Sequence, residues 1–300
     1  MNWQSLLSSA MAGDTRSIAR SISLVEDEGP GYQELLRSLP GTDRQNIIGI
    51  TGPPGAGKST LTDGLIGEYV KQGKRVAVLC VDPSSPFNLG ALLGDRIRMS
   101  DWYTHPSVFI RSLATRGSLG GLHPRILEIT DLLKALPFDL IIIETVGVGQ
   151  SEIEIAGLAD CTMVVLVPEA GDEVQTMKAG LMEIADVFVI NKSDRPDADH
   201  FTHYLQAMVH ASGRQTPVIR TVATEKKGLD DVAKAVEQYL ASPVGHERRY
   251  WLLAERAYNL MRNRRMKDIS KQTLKKKIED AVNRKDFNLY TFIEEYTHGK

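Results

Sequence analysis

The sequence predicts an α/β fold: a mostly parallel β-sheet flanked by helices, with helical extensions at both ends of the chain. From Gln45 onward, seven short apolar runs alternate with segments of helix length. The runs are apolar on both faces, as expected for parallel strands covered by helices on each side. A glycine-rich turn follows the first run and leads into helix-like sequence. The predicted strands are residues 47–50, 76–81, 108–111, 140–144, 161–167, 187–190 and 218–221.

Composition limits the class of protein. The chain has 300 residues, of which 42% are hydrophobic and 25% charged, as in ordinary globular proteins. A net charge of -2 gives no electrostatic reason to expect nucleic acid or a membrane as the main partner. Cys80 and Cys161 lie in apolar runs, which predicts buried free thiols and favours a reducing cytosol.

No targeting or membrane-spanning segment is predicted. The longest apolar runs are far shorter than the ~20 residues that a spanning helix needs. The first residues lack the basic head and apolar core of a signal peptide, and Asp14 interrupts any similarity to a transit peptide. We therefore expect a cytoplasmic protein.

The two ends of the chain differ from its centre. Residues 1–42 have apolar residues at helical spacing, which predicts a helical extension packed on the main domain. Residues 43–242 hold the alternating strands and helices of that domain. Residues 243–300 become helical and basic, with one apolar stripe. A charged helix exterior explains these basic residues more simply than nucleic-acid binding does, and a dimerisation element remains open.

The glycine-rich turn is a phosphate-binding loop. Its residues match the pattern G-x-x-x-x-G-K-[ST] between a strand and a helix, which makes the fold that of a P-loop NTPase. Glycines let backbone N–H groups point at a polyphosphate, and the positive start of the following helix favours the same charge. Lys58 is predicted to reach the β- and γ-phosphates, and Ser59 to coordinate Mg²⁺. The predicted contact residues are Gly52, Pro53, Pro54, Gly55, Ala56, Gly57, Lys58, Ser59 and Thr60.

Carboxylates follow two other predicted strands. Asp82 comes after the second run and Glu144 ends the fourth. Because parallel strands present their carboxyl ends at one edge of the sheet, both are candidates to hold Mg²⁺, directly or through water. Asp95, in the loop after Asp82, is predicted to join them when a γ-phosphate is bound. Together with Ser59, these residues form the predicted metal site.

The segment after Glu144 departs from the usual GTPase pattern. That pattern has aspartate in this place and a glutamine directly after the glycine. Here Gln150 comes three residues after Gly147, whose N–H is predicted to sense the γ-phosphate. We assign catalytic roles to Lys58, Glu144 and Gln150, with Gln150 orienting water. The displaced glutamine leaves open a nucleotide-dependent interaction module that does not hydrolyse GTP.

The sequence Asn191-Lys192-Ser193-Asp194 directly follows the sixth run and predicts guanine specificity. The Asp194 carboxylate can accept hydrogen bonds from the ring N–H and exocyclic amine of guanine, a donor pair that adenine lacks. Lys192 can lay its methylene stem along the base, and Asn191 can join this loop to the phosphate loop. Ala223, Thr224 and Glu225 are placed where backbone N–H groups could contact the guanine oxygen.

A glycine-rich stretch precedes His123. Residues 114–121 indicate close backbone approach or a moving loop. With no second histidine or cysteine at ligand spacing, His123 is expected at a helix start or on the surface rather than in a metal site.

Several stretches extend the pattern beyond a general GTPase. They resemble the MeaB/ArgK family, methylmalonyl-CoA mutase-associated GTPases of the metallochaperone class, from residue 21 to about residue 240. The stretches are Val81-Asp82-Pro83-Ser84-Ser85, Leu93-Gly94-Asp95, Ala114-Thr115-Arg116-Gly117, Leu119-Gly120-Gly121, Glu144 to Glu152 and Gly171-Asp172-Glu173.

The resemblance implies a homodimeric G protein that binds GTP, GDP and Mg²⁺. It also implies a partner, an adenosylcobalamin-dependent acyl-CoA mutase. Through GTP binding and hydrolysis, the G protein would gate the loading of cofactor into this mutase and would protect or rescue it. It further implies that residues 168–178 form an additional switch toward the mutase, in which Glu169 replaces an expected glycine.

Two other functions remain as alternatives. A nickel-insertion GTPase belongs to the same superclass, but the sequence has no Cys-His cluster to carry the metal. A kinase of a transport protein is a role attached to the family by name, but no acceptor-binding module or general-base signature supports it.

Overall fold

The computed structural model describes residues 2–41, 44, 46–82, 99–115, 122–145, 154–170, 180–266, 269–283 and 287–298. The chain divides into two compact units, Met1–Leu252 and Leu253–Lys300.

The described part of the first unit is built on a seven-stranded sheet. The pairings between its strands are parallel, in agreement with the mostly parallel sheet that the sequence predicts. The strands are β1 (Ile47–Thr51), β2 (Val76–Asp82), β3 (Val108–Ala114), β4 (Leu140–Glu144), β5 (Cys161–Leu166), β6 (Val187–Ile190) and β7 (Val218–Arg220). Their order across the sheet is β3-β2-β4-β1-β5-β6-β7, which places β1 between β4 and β5.

Helices cover both faces of this sheet. The described helices that lie wholly within the first unit are α1 (Trp3–Met11), α2 (Thr15–Glu26), α3 (Tyr32–Arg37), α4 (Lys58–Lys71), α5 (Ile126–Ala135), α6 (Gly180–Ile184), α7 (Ala198–Ala211) and α8 (Leu229–Leu240). Short 3-10 turns at Ser100–Trp102, Ile155–Gly157, Pro168–Ala170 and Ala223–Glu225 connect some of these elements.

Side chains alternate along β1 between two cores, as the period of a strand requires. Ile47 packs in the core formed with α1, α2, α3 and α5. Ile48 and Ile50 pack in the core formed with α4 and α8. This double burial explains why the strands read as continuous apolar runs.

The N-terminal helices pack on the main domain, as expected. Helix α2 buries Ile18, Ile22 and Val25, which share one helical face and lie in the same core as Ile47. Its start is fixed by Asp14, whose carboxylate accepts a hydrogen bond from the Ser17 N–H at 2.8 Å.

His123 lies just before α5, one of the two positions expected for it, but it is not on the surface. The residue is only 2% exposed. Its Nδ1 accepts a hydrogen bond from the Arg125 N–H at 3.0 Å, and its Nε2 lies 3.8 Å from a Glu26 carboxylate oxygen of α2. The packing of α2 over this turn buries the histidine.

The last helices are α9 (Pro243–Arg265), α10 (Lys271–Val282) and α11 (Leu289–His298). In the second unit, the Ser270 hydroxyl caps α10 by accepting a hydrogen bond from the Thr273 N–H at 3.4 Å. Several large apolar side chains of this unit are exposed: Leu253, Tyr258, Met261, Met266, Val282, Phe287, Leu289, Tyr290 and Ile293. Among the described helices, none is long and apolar enough to cross a membrane.

Candidate nucleotide-binding site

The predicted phosphate loop connects β1 to α4 at the carboxyl edge of the sheet. Gly57 forms the N-cap of α4 without any side-chain capping hydrogen bond. The first N–H groups of a helix have no partner within the helix, so this end of α4 suits an anion.

Two glycines of the loop are required by both backbone angle and space. Gly52 has φ +140°, and a Cβ there would lie 2.1 Å from the Val165 carbonyl oxygen on β5. Gly57 has φ +86°, and a Cβ there would lie 2.4 Å from the Asn191 amide nitrogen. Any side chain at either position would therefore push the loop off the neighbouring strand or off residues 191–194, the predicted base-recognition loop.

Lys58 is buried and folds back over the loop that precedes it. Its ammonium donates hydrogen bonds to the carbonyl oxygens of Gly52 at 2.8 Å and Pro53 at 3.0 Å. The Thr62 hydroxyl in turn donates to the Lys58 carbonyl at 2.9 Å. The structure thus holds a positive charge over the loop, where a phosphate would accept from it.

Ser59 and Glu144 meet beside the loop. The Ser59 hydroxyl donates to a Glu144 carboxylate oxygen at 2.6 Å, and both residues are at least 93% buried. The register of β1 and β4 produces this contact, because Ile50 pairs with Glu144 at the edge where α4 begins. The Thr145 hydroxyl adds a hydrogen bond to Thr51 at 3.1 Å.

Of the other residues predicted to bind metal or to act in catalysis, the structure describes Asp82 but not Asp95 or Gln150. Asp82 ends β2, which neighbours β4, so its backbone lies at the same edge of the sheet as Glu144. Asp95, Gly147 and Gln150 lie outside the described residues.

Asn191 joins the base-recognition loop to the phosphate loop, as predicted. It is 3% exposed and directly follows β6. Its amide nitrogen donates to the Ala56 carbonyl at 2.9 Å. Its amide oxygen accepts from the Thr221 hydroxyl at 3.2 Å and from the Ala223 N–H at 3.1 Å. One buried side chain therefore connects three separate loops.

Lys192 adds a second connection to the phosphate loop. It adopts φ +56°, an angle that is uncommon for a residue other than glycine, and its ammonium donates to the Gly55 carbonyl at 2.7 Å. Asp194 is exposed at the end of the same loop. A carboxylate in this position is open to an incoming base.

The turn at Ala223–Glu225 lies beside Asn191, but two of its N–H groups already donate within the protein. The Ala223 N–H donates to Asn191, and the Glu225 N–H donates to the Val222 carbonyl at 2.9 Å. A contact from either N–H to the guanine oxygen would replace one of these hydrogen bonds.

Thr221 and Lys227 lie beside residues 191–194, and neither was among the site residues predicted from the sequence. Thr221 is 1% exposed and, besides bonding Asn191, accepts from the Ser193 N–H at 3.0 Å through its carbonyl. Lys227 pairs with Glu225 at 2.6 Å. The pKa of Lys227 is raised, mainly by that hydrogen bond and also by the Asp194 charge. The sequence signal that could have indicated them is their position in the segment that follows β7, the last strand of the sheet.

Comparison with known proteins identifies the family. Residues 18–282 match the family described as "Methylmalonyl Co-A mutase-associated GTPase MeaB". The chain belongs to the MeaB family. Members of this family and their relatives are named as GTPases, and this chain is accordingly a GTP-hydrolysing P-loop protein.

Three relatives illustrate the similarity. A putative GTPase of Pyrococcus abyssi is 50% identical over 235 residues, which cover 76% of this chain and 72% of the relative. The GTPase ArgK of Escherichia coli is 38% identical over 237 residues, 75% of this chain and 72% of the relative. The mitochondrial methylmalonic aciduria type A homolog of Caenorhabditis elegans is 38% identical over 209 residues, 64% of this chain and 52% of the relative.

A solved structure has the same fold. The crystal structure described as a "LAO/AO transport system kinase" superposes with a TM-score of 0.70 at 27% identity and covers 99% of this chain and 94% of that chain. The P-loop fold and the MeaB/ArgK resemblance drawn from the sequence are thereby confirmed.

Proposed function

We propose that this GTPase is a chaperone of an adenosylcobalamin-dependent acyl-CoA mutase of the methylmalonyl-CoA mutase type. GTP binding and hydrolysis would gate cofactor loading and protect or reactivate the mutase. The observation that carries the nucleotide part is the hydrogen bond from Asn191 to Ala56, which joins a guanine-type loop to a phosphate loop. The family description, which names the mutase, supports the partner.

The residues are proposed to divide between phosphate and base. Gly52 to Thr60 hold the phosphates, with the Lys58 charge on the β- and γ-phosphates. Asn191, Lys192 and Asp194 select guanine, and the turn at Ala223–Glu225 borders the base. The contacts of Lys58 with the loop carbonyls and of Lys192 with Gly55 support this division, because both ammonium groups already lie at the loop.

The donor set beside the loop fits Mg²⁺. A buried hydroxyl and a buried carboxylate 2.6 Å apart are hard oxygen ligands, the type that this ion prefers in company with phosphates and water. Ser59 and Glu144 would hold it, with Asp82 and Asp95 as further proposed ligands. When bound, Mg²⁺ neutralises charge that develops on the phosphates.

Hydrolysis is proposed to proceed by in-line attack of water on the γ-phosphate. The chain contributes mainly position and charge: backbone N–H groups of the loop, the start of α4 and the Lys58 ammonium hold the phosphate oxygens. Gln150 is the proposed residue that orients the water. We propose that turnover is slow until the partner orders the switch segments.

A homodimer is proposed as the working form. The number of large apolar side chains left exposed in the second unit supports this, because association with a second copy could cover them. Light scattering of the full chain should give twice the mass of one chain, and Tyr290→Ser combined with Ile293→Ser should shift the mass toward one chain. A wild-type monomer at micromolar concentration would contradict the dimer.

The test of the proposed function is GTP turnover by the purified protein, alone and with an adenosylcobalamin-dependent acyl-CoA mutase. ATP is the nucleotide control and Lys58→Ala the control for contaminating GTPases. We expect slow GTP-specific turnover that the mutase accelerates. Unchanged turnover and no binding to any such mutase would contradict the chaperone role. Transfer of the γ-phosphate to a transport protein instead of water would favour the kinase alternative.

A further inference from the structure

Two charged side chains from neighbouring strand ends meet beside the base-recognition loop. Glu169 lies in the 3-10 turn Pro168–Ala170, directly after β5, and Arg195 follows Asp194 after β6. A guanidinium nitrogen of Arg195 donates to a carboxylate oxygen of Glu169. The Glu169 pKa is lowered, chiefly by this hydrogen bond. The pair therefore connects the turn after β5 to the loop after β6.

Arg195 also closes the turn that presents Asp194. The backbone N–H of Arg195 donates to the Lys192 carbonyl at 3.1 Å, so that Ser193 and Asp194 form the tip of a tight turn. Lys192 in turn donates from its ammonium to Gly55. A continuous series of contacts thus runs from Glu169 through Arg195 and Lys192 to the phosphate loop.

This turn has a backbone angle that needs support from its surroundings. Lys192 is one of four non-glycine residues of the described chain with positive φ, at +56°. Such conformations persist when neighbouring contacts hold them. Asn191 fixes one end of the turn from the protein interior, and the Arg195 side chain fixes the other end from the surface.

We propose that Arg195 and Glu169 are positioning residues for guanine recognition. Their ion pair holds the turn 192–195 in the conformation that presents the Asp194 carboxylate to the base. By thermodynamic reciprocity, a bound guanine nucleotide then stabilises the turn at Pro168–Ala170. This inference rests on the proposed assignment of residues 191–194 to guanine.

The expected effect is modest. The side chains of Arg195 and Glu169 are 46% and 48% exposed, and solvent weakens exposed pairs. Loss of either partner should weaken nucleotide binding about two- to fivefold, the range that corresponds to exposed ion pairs. GDP is the suitable probe, because it lacks the γ-phosphate and so excludes effects that pass through a γ-phosphate sensor.

The experiment is a calorimetric titration of GDP into the wild-type protein, Glu169→Gln, Arg195→Gln and the exchanged pair Glu169→Arg with Arg195→Glu. Each single variant should bind GDP two- to fivefold more weakly, and the exchanged pair should recover at least half of the loss. Asp230→Asn is the matched control, since it breaks another exposed pair, with Lys234 at 3.2 Å on α8, and should bind as wild type does.

Hydrogen exchange supplies a readout that a general structural role would not change. GDP should slow amide exchange at Glu169 and Ala170 in the wild type and in Asp230→Asn, and should not do so in Glu169→Gln. Single variants with wild-type GDP affinity, or protection of the amides of residues 169 and 170 that survives Glu169→Gln, would overturn the inference. A wild-type protein that binds ADP as tightly as GDP would instead overturn the guanine assignment itself.

Discussion

The two proposed halves of the nucleotide site are built differently: the phosphate half is residues 52–60 with Glu144, and the base half is residues 191–194. In the phosphate half, Lys58, Ser59 and Glu144 are buried. Without any ligand, the Lys58 ammonium donates to a loop carbonyl, and the Ser59 hydroxyl donates to the Glu144 carboxylate. In the base half, Asp194 is exposed, and its loop is held in place through the buried Asn191. Burial therefore fixes the Lys58 charge in the phosphate half before a nucleotide binds. In the base half, guanine specificity would depend on the hydrogen bonds by which Asn191 holds the loop of Asp194 in place.

The largest effect is expected in the phosphate half. Lys58→Ala removes the buried charge over the loop, and we expect GTP affinity or turnover to fall by about 100-fold or more. Calorimetry and phosphate release measure the two quantities. Lys71→Ala, at the exposed end of the same helix, is the control and should change neither. A Lys58→Ala protein with wild-type affinity and turnover would remove the basis for the buried-charge interpretation.

The contact between the two halves can be tested at the glycines. Gly57→Ala and Gly55→Ala both place a side chain at positive φ, but only the Gly57 Cβ would meet Asn191, at 2.4 Å. We expect Gly57→Ala to lower the free energy of unfolding by a further 1–3 kcal/mol, roughly the cost of overpacking. Urea denaturation of both variants measures the difference. Equal losses of unfolding free energy in the two variants would mean that the phosphate loop can move away from Asn191 without destabilising the protein.

Specificity should change in the base half alone. Asp194→Asn replaces a carboxylate that is proposed to accept two hydrogen bonds from guanine, so preference should shift from GTP to xanthosine triphosphate by about tenfold or more. Competition between the two nucleotides measures the ratio. The mutation should leave the affinity for pyrophosphate unchanged, which separates it from the Lys58 variant. A wild-type GTP preference in Asp194→Asn would show that guanine is read elsewhere.

Of these four changes, the smallest effect is expected at Lys192, whose exposed hydrogen bond joins the two halves. Lys192→Met keeps the apolar stem and loses the hydrogen bond to Gly55, which is 2.7 Å long. One exposed hydrogen bond of this kind corresponds to a loss of GDP affinity of about three- to tenfold. Fluorescence titration with a labelled GDP measures it. A loss as large as that of Lys58→Ala would mean that Lys192 belongs to the phosphate half.

The sheet could be predicted from the sequence because its strands are buried on both faces. Seven apolar runs gave seven strands, with ends displaced by at most three residues, as at β3. The phosphate and guanine motifs could be recognised in the sequence because their chemistry fixes residue types at fixed spacing, and the roles assigned to their residues stay predictions.

Contacts between distant segments could not be predicted in the same way. The absence of a second histidine or cysteine at ligand spacing placed His123 at a helix start or on the surface; it does precede α5, but nothing in the local sequence indicated that α2 would pack over it and bury it. The use of the Ala223 N–H by Asn191 depends on how two loops meet after folding. The pair of Glu169 and Arg195 joins residues 26 positions apart, which no local pattern indicates.

The central claim is that Asn191 holds the two halves together, and pyrophosphate tests it most directly because it fills the phosphate half alone. Pyrophosphate and GDP should be titrated calorimetrically into the wild type and Asn191→Ala, with thermal unfolding used to confirm that the variant is folded. Since the Asn191 amide donates to the Ala56 carbonyl of the phosphate loop, we expect the pyrophosphate affinity of Asn191→Ala to fall together with its GDP affinity. An unchanged pyrophosphate affinity in a folded variant that loses GDP affinity would contradict it.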